Sequence, residues 1–187
     1  MTMSNFNTHT SGILEELQRT VSAVDASVVV ALIERIVQAD RIFLAGAGRS
    51  GLMMRAFAMR LMHMGFDAYV VGESVTPGIG EQGLLIIGSG SGETQSLIAM
   101  AEKAKRIGAS VALATIQPTS TIGKLADIIL QIPASTKENT DRTTTIQPMG
   151  SLFEQSLLLV FDALILHMMA NGNIDSAKMF GRHANLE

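Results

Sequence analysis

The chain has 187 residues, 47% of them hydrophobic, enough to build one sizeable core. A net charge of −3 offers no basic field to a nucleic-acid backbone, and the lack of cysteine excludes disulfides, thiolate nucleophiles and cysteine-based zinc sites. The first eleven residues are polar and lack the basic-then-apolar layout of a secretion signal, so a cytoplasmic location is the default expectation.

Residues 13–21 and 26–39 read as two helices, followed by a short apolar run at 41–45 that ends on Gly46 and reads as the first buried strand. Residues 52–64 are rich in Met, Ala, Arg and Leu and form a helix that Gly65 stops. Strands are expected at 68–71 and 83–87, then a helix at 95–107 stopped by Gly108, and further strands at 110–115 and 127–132. Residues 133–148 form the longest irregular stretch, which in a compact domain is either a functional lid or disordered. The apolar segment 152–170 barely reaches membrane-spanning length and carries Glu154, Gln155, Asp162 and His167. It reads as a buried core or subunit-interface helix. Twelve methionines and no tryptophan fit a helix-rich interior filled by flexible side chains.

Strands alternating with helices predict right-handed crossovers and an α/β fold of three layers, α-β-α, around a doubly wound, five-stranded parallel sheet. The whole chain, 1–187, is expected to be one domain. It divides into N-terminal helices to residue 40, a sheet core over 41–132, and a loop, long helix and tail beyond. Ligands of such sheets collect at the carboxyl ends of the strands. Two glycine-rich loops lie there.

The second loop, Gly88-Ser-Gly-Ser-Gly-Glu-Thr94, follows a strand and opens a helix. Its glycines let backbone N–H groups close on an anion, while Ser89, Ser91, Thr94 and Ser96 offer hydroxyl donors, so a phosphorylated small molecule is the expected ligand. The first loop, Gly46-Ala-Gly-Arg-Ser-Gly51, matches G-x-G-x-x-G, and Glu73 stands near the distance that a dinucleotide site requires. A dinucleotide leaves the second loop unexplained and sets Arg49 inside the turn, where a bound anion or a substrate oxygen suits it. Glycines serving only tight strand-to-helix packing would account for one such loop better than for two.

Together the loops resemble the sugar isomerase family, the SIS domain, which binds phosphosugars. Gly46 to Ser50 resembles its G-x-G-x-S turn, and Ser89-Gly-Ser-Gly-Glu-Thr94 its S-x-S-G-x-[ST] phosphate cradle. Three further segments, Gly72-Glu-Ser-Val-Thr-Pro77, Gln147-Pro-Met-Gly-Ser-Leu-Phe-Glu-Gln155 and Arg182-His-Ala-Asn-Leu-Glu187, resemble one branch of that family. The resemblance implies an SIS-type, flavodoxin-like fold and a homotetramer. It also implies an isomerase of the aldose–ketose type that needs neither metal nor cofactor. That branch converts D-arabino-hex-3-ulose 6-phosphate to D-fructose 6-phosphate in the ribulose monophosphate route of formaldehyde fixation.

Moving a proton between C2 and C3 through an enediolate requires a base and a carrier between the two oxygens. The resemblance assigns the base to Glu154; read by itself, Glu154 is equally an acidic residue favoured by the dipole of a helix start. His183 is the expected proton carrier, reaching a neighbouring subunit's site from the tail, although a lone histidine in a polar tail is ordinarily a solvated bystander. Gly48, Arg49, Ser50, Ser89, Gly90, Ser91, Glu93 and Thr94 form the expected substrate site. Arg49 binds phosphate or a sugar hydroxyl, or stabilises the enediolate, or is simply an exposed helix-start arginine. Glu93 is either a substrate-hydroxyl contact or the acidic first-turn residue of its helix. His63 and His167 read as packed core or interface residues, and His9 as irrelevant. Two rivals remain: another phosphosugar isomerase, acting on arabinose 5-phosphate or sedoheptulose 7-phosphate, and a non-catalytic phosphosugar sensor. The first forty residues show no basic helix-turn-helix for the latter.

Overall fold

A computed structural model describes residues 3–134, 145–172 and 176–186. Two helices, α1 (Met3–Ser22) and α2 (Ala26–Gln38), precede β1 (Ile42–Gly46), α3 (Gly48–Met64), β2 (Ala68–Val70) and β3 (Leu84–Gly88). Then come α4 (Gln95–Ile107), β4 (Ser110–Thr115), α5 (Thr121–Leu125), β5 (Ile128–Gln131), α6 (Ser151–Gly172) and α7 (Ser176–Phe180). The strands pair in parallel in the order β2-β1-β3-β4-β5. This is the flavodoxin-like, doubly wound order, in which β1 and β3 are neighbours and their following helices leave toward opposite faces.

The period-two alternation of each strand builds two cores. Ile42, Leu44, Leu84 and Ile86 point to the side of α2, α3 and α6, while Phe43, Ala45, Leu85 and Ile87 point to the side of α4 and α5. Buried on both faces, β1, β3 and β4 read as continuous apolar runs. On the first side Phe57 of α3 stacks on Phe161 of α6 with ring centroids 4.0 Å apart, and α1 packs outside on α6. By length and composition α6 could cross a membrane, but 56% of its most apolar window is buried inside this fold. It is a core helix.

The helix stops expected at Gly65 and Gly108 are present, both residues being left-handed C-caps. Asp25 caps α2 by accepting the Ser27 N–H at 2.8 Å. Four features depart from expectation. Helix α1 begins near Met3 rather than at residue 13, because Ile13, Leu17 and Thr20 give it a packed face and the polar residues before them simply extend it into solvent. Helix α3 begins at Gly48 rather than at residue 52: the glycine loop is itself the first helical turn. The short helices α5 and α7 carry too few apolar repeats to be legible. Of the expected irregular stretch 133–148, residues 135–144 lie outside the described residues, and with them its reading as a lid.

Candidate active site

The two glycine loops end β1 and β3, adjacent strands at the point where the chain's crossovers diverge. Their helices therefore start side by side. Neither start is capped by a side chain: α3 is preceded by Ala47, which has no capping group, and Thr94 before α4 makes no side-chain capping bond. The Leu97 N–H turns back to the Thr94 carbonyl at 2.9 Å; the N–H groups ahead of it, and those at the start of α3, meet no capping side chain, and the positive ends of two helix dipoles converge on one cleft. That cleft has a volume of about 600 Å³ and is lined by Gly48, Ser50, Ser89, Gly90, Ser91, Glu93, Thr94 and Gly150, with Leu97, Ile116 and Phe153 as apolar wall.

The loop after β3 is braced from within. Ser89 Oγ accepts the Gly92 N–H at 3.1 Å and Ser91 Oγ accepts the Glu93 N–H at 3.3 Å. A serine oxygen that accepts a backbone N–H still has its own hydrogen to donate, so both hydroxyls can serve the loop and an anion together. Thr115 at the end of β4 donates to the Gly90 carbonyl at 3.1 Å, and the Ile122 N–H reaches the Gly92 carbonyl at 3.2 Å. Ser96 is exposed on α4 and is not part of the cleft wall.

Glu93 plays a part that neither sequence alternative contained. Its carboxylate accepts the Thr121 N–H at 2.7 Å, clipping the loop to the start of α5, and it lies before Thr94 rather than in the first turn of α4. Hydrogen bonds from Thr121, backbone first, hold its carboxyl below the usual carboxylate value. It lines the cleft while so engaged.

In the first loop, close approach explains two of the glycines. A Cβ on Gly46 would stand 2.9 Å from the Gly51 Cα, and one on Gly51 would stand 2.7 Å from the Gly46 carbonyl oxygen. Gly48 differs, since a Cβ there would meet nothing within 4 Å. It opens onto the cleft. Glu73, the acidic residue of the dinucleotide fingerprint, is ion-paired with Arg55 instead.

Arg49, in the first turn of α3, reaches to the first turn of α6. Its Nη1 lies 3.1 Å from Glu154 Oε2 and donates to Ser151 Oγ at 2.9 Å. The Glu154 side chain is only 3% exposed, whereas that of Arg49 is 54% exposed. A carboxylate so deeply buried is held by its cation and by the helix start together. Neither residue belongs to the cleft wall itself. Arg49 lies between two lining residues of α3, Gly48 and Ser50, and Glu154 directly follows the lining residue Phe153 in α6. Ser151 was not singled out from sequence, although its spacing to Glu154, S-x-x-E before an apolar run, is a helix-start signature.

His183 is not brought to this site within one chain. Its ring stacks on His63 with centroids 5.3 Å apart, and Arg182 donates to the His63 carbonyl at 3.2 Å. Since His63 stands near the far end of α3, roughly 22 Å along the axis from Gly48, the tail docks at the opposite end of that helix, away from the carboxyl ends of the strands. Burial, then the charges of His183 and Arg60, push the His63 imidazole below its ordinary value. His63 is buried as expected; His167 is exposed beside an apolar groove between α2 and α6, and His9 is exposed on α1.

The family model described as the SIS domain matches residues 35–159. The 3-hexulose-6-phosphate isomerase of Bacillus subtilis is 53% identical over 94% of this chain and 95% of its own. The protein of the same name from Mycobacterium gastri is 42% identical over 92% and 87%. The crystal structure of a Methanococcus jannaschii protein, described as inferring a 3-hexulose-6-phosphate isomerase function, superposes with a TM-score of 0.82 at 34% identity, covering 99% of this chain and 100% of that one. The chain belongs to the SIS-domain family of phosphosugar-binding α/β proteins. Within that family it groups with the 3-hexulose-6-phosphate isomerases.

Proposed function

We propose that the protein converts D-arabino-hex-3-ulose 6-phosphate to D-fructose 6-phosphate. One observation carries the reading: two uncapped helix starts and a hydroxyl-rich loop form an anion cradle directly beside a buried carboxylate paired with an arginine. The cradle, residues 88–94, takes the phosphate. The sugar chain then runs along the cleft toward Gly150 and Glu154.

Glu154 removes the C2 proton and returns it to C3, while a proton leaves O2 and another arrives at O3. Negative charge gathers on the two oxygens in between. Arg49 and the first-turn amides of α3 face that charge with fixed positive ends, which stabilises the enediolate more than the neutral ketose. The substrate enters open-chain, because a five-membered ring onto C3 would need the phosphorylated O6. Only the product cyclises, through O5 onto C2, so ring opening concerns the reverse direction alone.

The proton carrier between O2 and O3 is His183 of a neighbouring subunit. Support comes from the distance of the tail from its own cleft and from the outward faces of α3 and α6, where Leu52, Met59, Leu159 and Leu166 are exposed. Apolar surface of this kind marks a partner surface. The assembly is a cytoplasmic homotetramer in which the whole chain, 1–187, forms one domain, and the reaction serves formaldehyde fixation through ribulose monophosphate. Mixing Glu154→Gln with His183→Ala subunits, each inactive alone, should restore measurable turnover through sites that draw Glu154 and His183 from different chains. Mixtures that stay inactive after subunit exchange would show that the histidine does not act across subunits.

The direct test is coupled detection of fructose 6-phosphate from the 3-hexulose phosphate, with arabinose 5-phosphate and sedoheptulose 7-phosphate alongside and with chelator present and absent. Turnover of the 3-hexulose phosphate that exceeds the others and survives chelation is the expected result. Preference for either alternative sugar would overturn the assignment.

A further inference from the structure

Glu16, in the middle of α1, is a buried carboxylate that the isomerisation chemistry leaves unused. Its Oε1 accepts the Ile146 N–H at 2.7 Å; its Oε2 accepts the Thr145 hydroxyl at 2.8 Å and the Gln147 side-chain amide at 3.1 Å. Thr145 Oγ1 in turn accepts the Gln147 N–H at 3.1 Å. One carboxylate therefore holds three consecutive residues, with Glu16, Thr145 and Gln147 all buried. Burial pushes the Glu16 carboxyl upward, yet the bonds from Ile146, Gln147 and Thr145, with the charge of Arg19, outweigh it and keep the group below its usual value.

Helix α1 is shaped for the same contact. Gly12 lies one turn before Glu16, and a Cβ there would come within 2.6 Å of Ile146 Cδ1. The glycine lets the half-exposed Ile146 side chain lie close over the helix.

The clamped residues run through Pro148, Met149 and Gly150 straight into α6. Met149 has φ +58°, the positive-φ residue other than glycine among the described residues. A side-chain-bearing residue keeps that conformation only where its flanks impose it. One flank is the Glu16 clamp. The other is the first turn of α6, where Ser151 and Glu154 meet Arg49. Gly150, between them, lines the cleft.

We infer that Glu16 is a positioning residue: from α1 it anchors residues 145–147 and thereby sets how α6 presents Glu154 to Arg49 and the substrate. This role presupposes that Glu154 is the base. A misplacement of about an ångström in a reacting group costs on the order of 10²-fold in rate. Among the described residues the loop 88–94 is braced by β4 and α5, so substrate binding should be spared.

Glu16→Ala should lower kcat about 10- to 100-fold with KM within about threefold of wild type, and should speed hydrogen exchange at the Ile146 amide. Glu16→Gln keeps an acceptor for that amide and should recover most of the lost rate. If Glu16→Ala does not fold, Thr145→Val with Gln147→Ala removes two of the three donors while leaving Glu16 in place, and the same fall in kcat is expected. A kcat within about threefold of wild type in the folded variants overturns the inference, as does a loss carried by KM. Glu154→Gln is measured in parallel. If it collapses while the Glu16 and donor variants turn over normally, only the positioning role fails; if Glu154→Gln itself turns over normally, the reading of the base fails and this role with it.

Discussion

Replacing Glu154 with glutamine is expected to cut kcat by about 10³-fold or more while leaving KM within a few-fold, since general-base catalysis by a placed carboxylate contributes roughly 10² to 10⁴. The loop proposed to hold the phosphate, 88–94, lines the cleft, whereas Glu154 is not among the lining residues, so binding should be largely kept. Stability should not fall with it. Glutamine has nearly the same shape, and the change removes a buried charge whose desolvation its ion pair only partly offsets. Arg49 loses a partner but is half exposed, so water can replace it. A folded variant of unchanged Tm and unchanged KM with collapsed kcat isolates chemistry from folding. Turnover within about tenfold of wild type would remove Glu154 as the base.

The second large effect should come from Gly92→Ala, and it should appear in KM. Gly92 has φ +65°, in the left-handed region where a Cβ costs about 1–2 kcal/mol. Its added methyl would also stand 2.6 Å from the Ser120 Cβ and closer still to its hydroxyl, which caps α5 by accepting the Gly123 N–H. The loop must therefore move away from α5. Moving it breaks the Ser89-to-Gly92 brace and spreads the donors that converge on the phosphate. Charge-assisted hydrogen bonds are worth about 1.5–3 kcal/mol each, so losing one or two should raise KM about 10- to 100-fold or more. Adding Ser120→Gly relieves the clash but keeps the φ penalty and gives up the α5 cap, so rescue should be partial. A KM within about twofold of wild type in Gly92→Ala would show that this loop does not hold the phosphate.

Much of this was open to a reader of the sequence because the signals were local. Apolar runs of strand length, helix stops at Gly65 and Gly108, and two glycine loops each after a strand are all short-range patterns with a direct conformational cause. Glu93 shows where locality ends. Its neighbours in sequence imply a helix start or a sugar contact, yet its carboxylate closes on Thr121, 28 residues away. Glu16 shows it more sharply. Nothing near position 16 distinguishes it from a solvated acid on an amphipathic helix, since its partners lie about 130 residues further along the chain.

The sequence by itself determined that the chain would form a parallel α/β sheet with an anion-binding loop, because hydrophobic period, helix stops and glycine conformation act between near neighbours. Only the tertiary structure decided that the starts of α3 and α4 open onto one cleft, since that depends on strand order, β2-β1-β3-β4-β5. It also decided that Arg49 meets Glu154 across two helices and that His183 docks at the far end of α3. Those placements depend on how helices pack over a sheet, and packing joins residues whose separation along the chain carries no local signal.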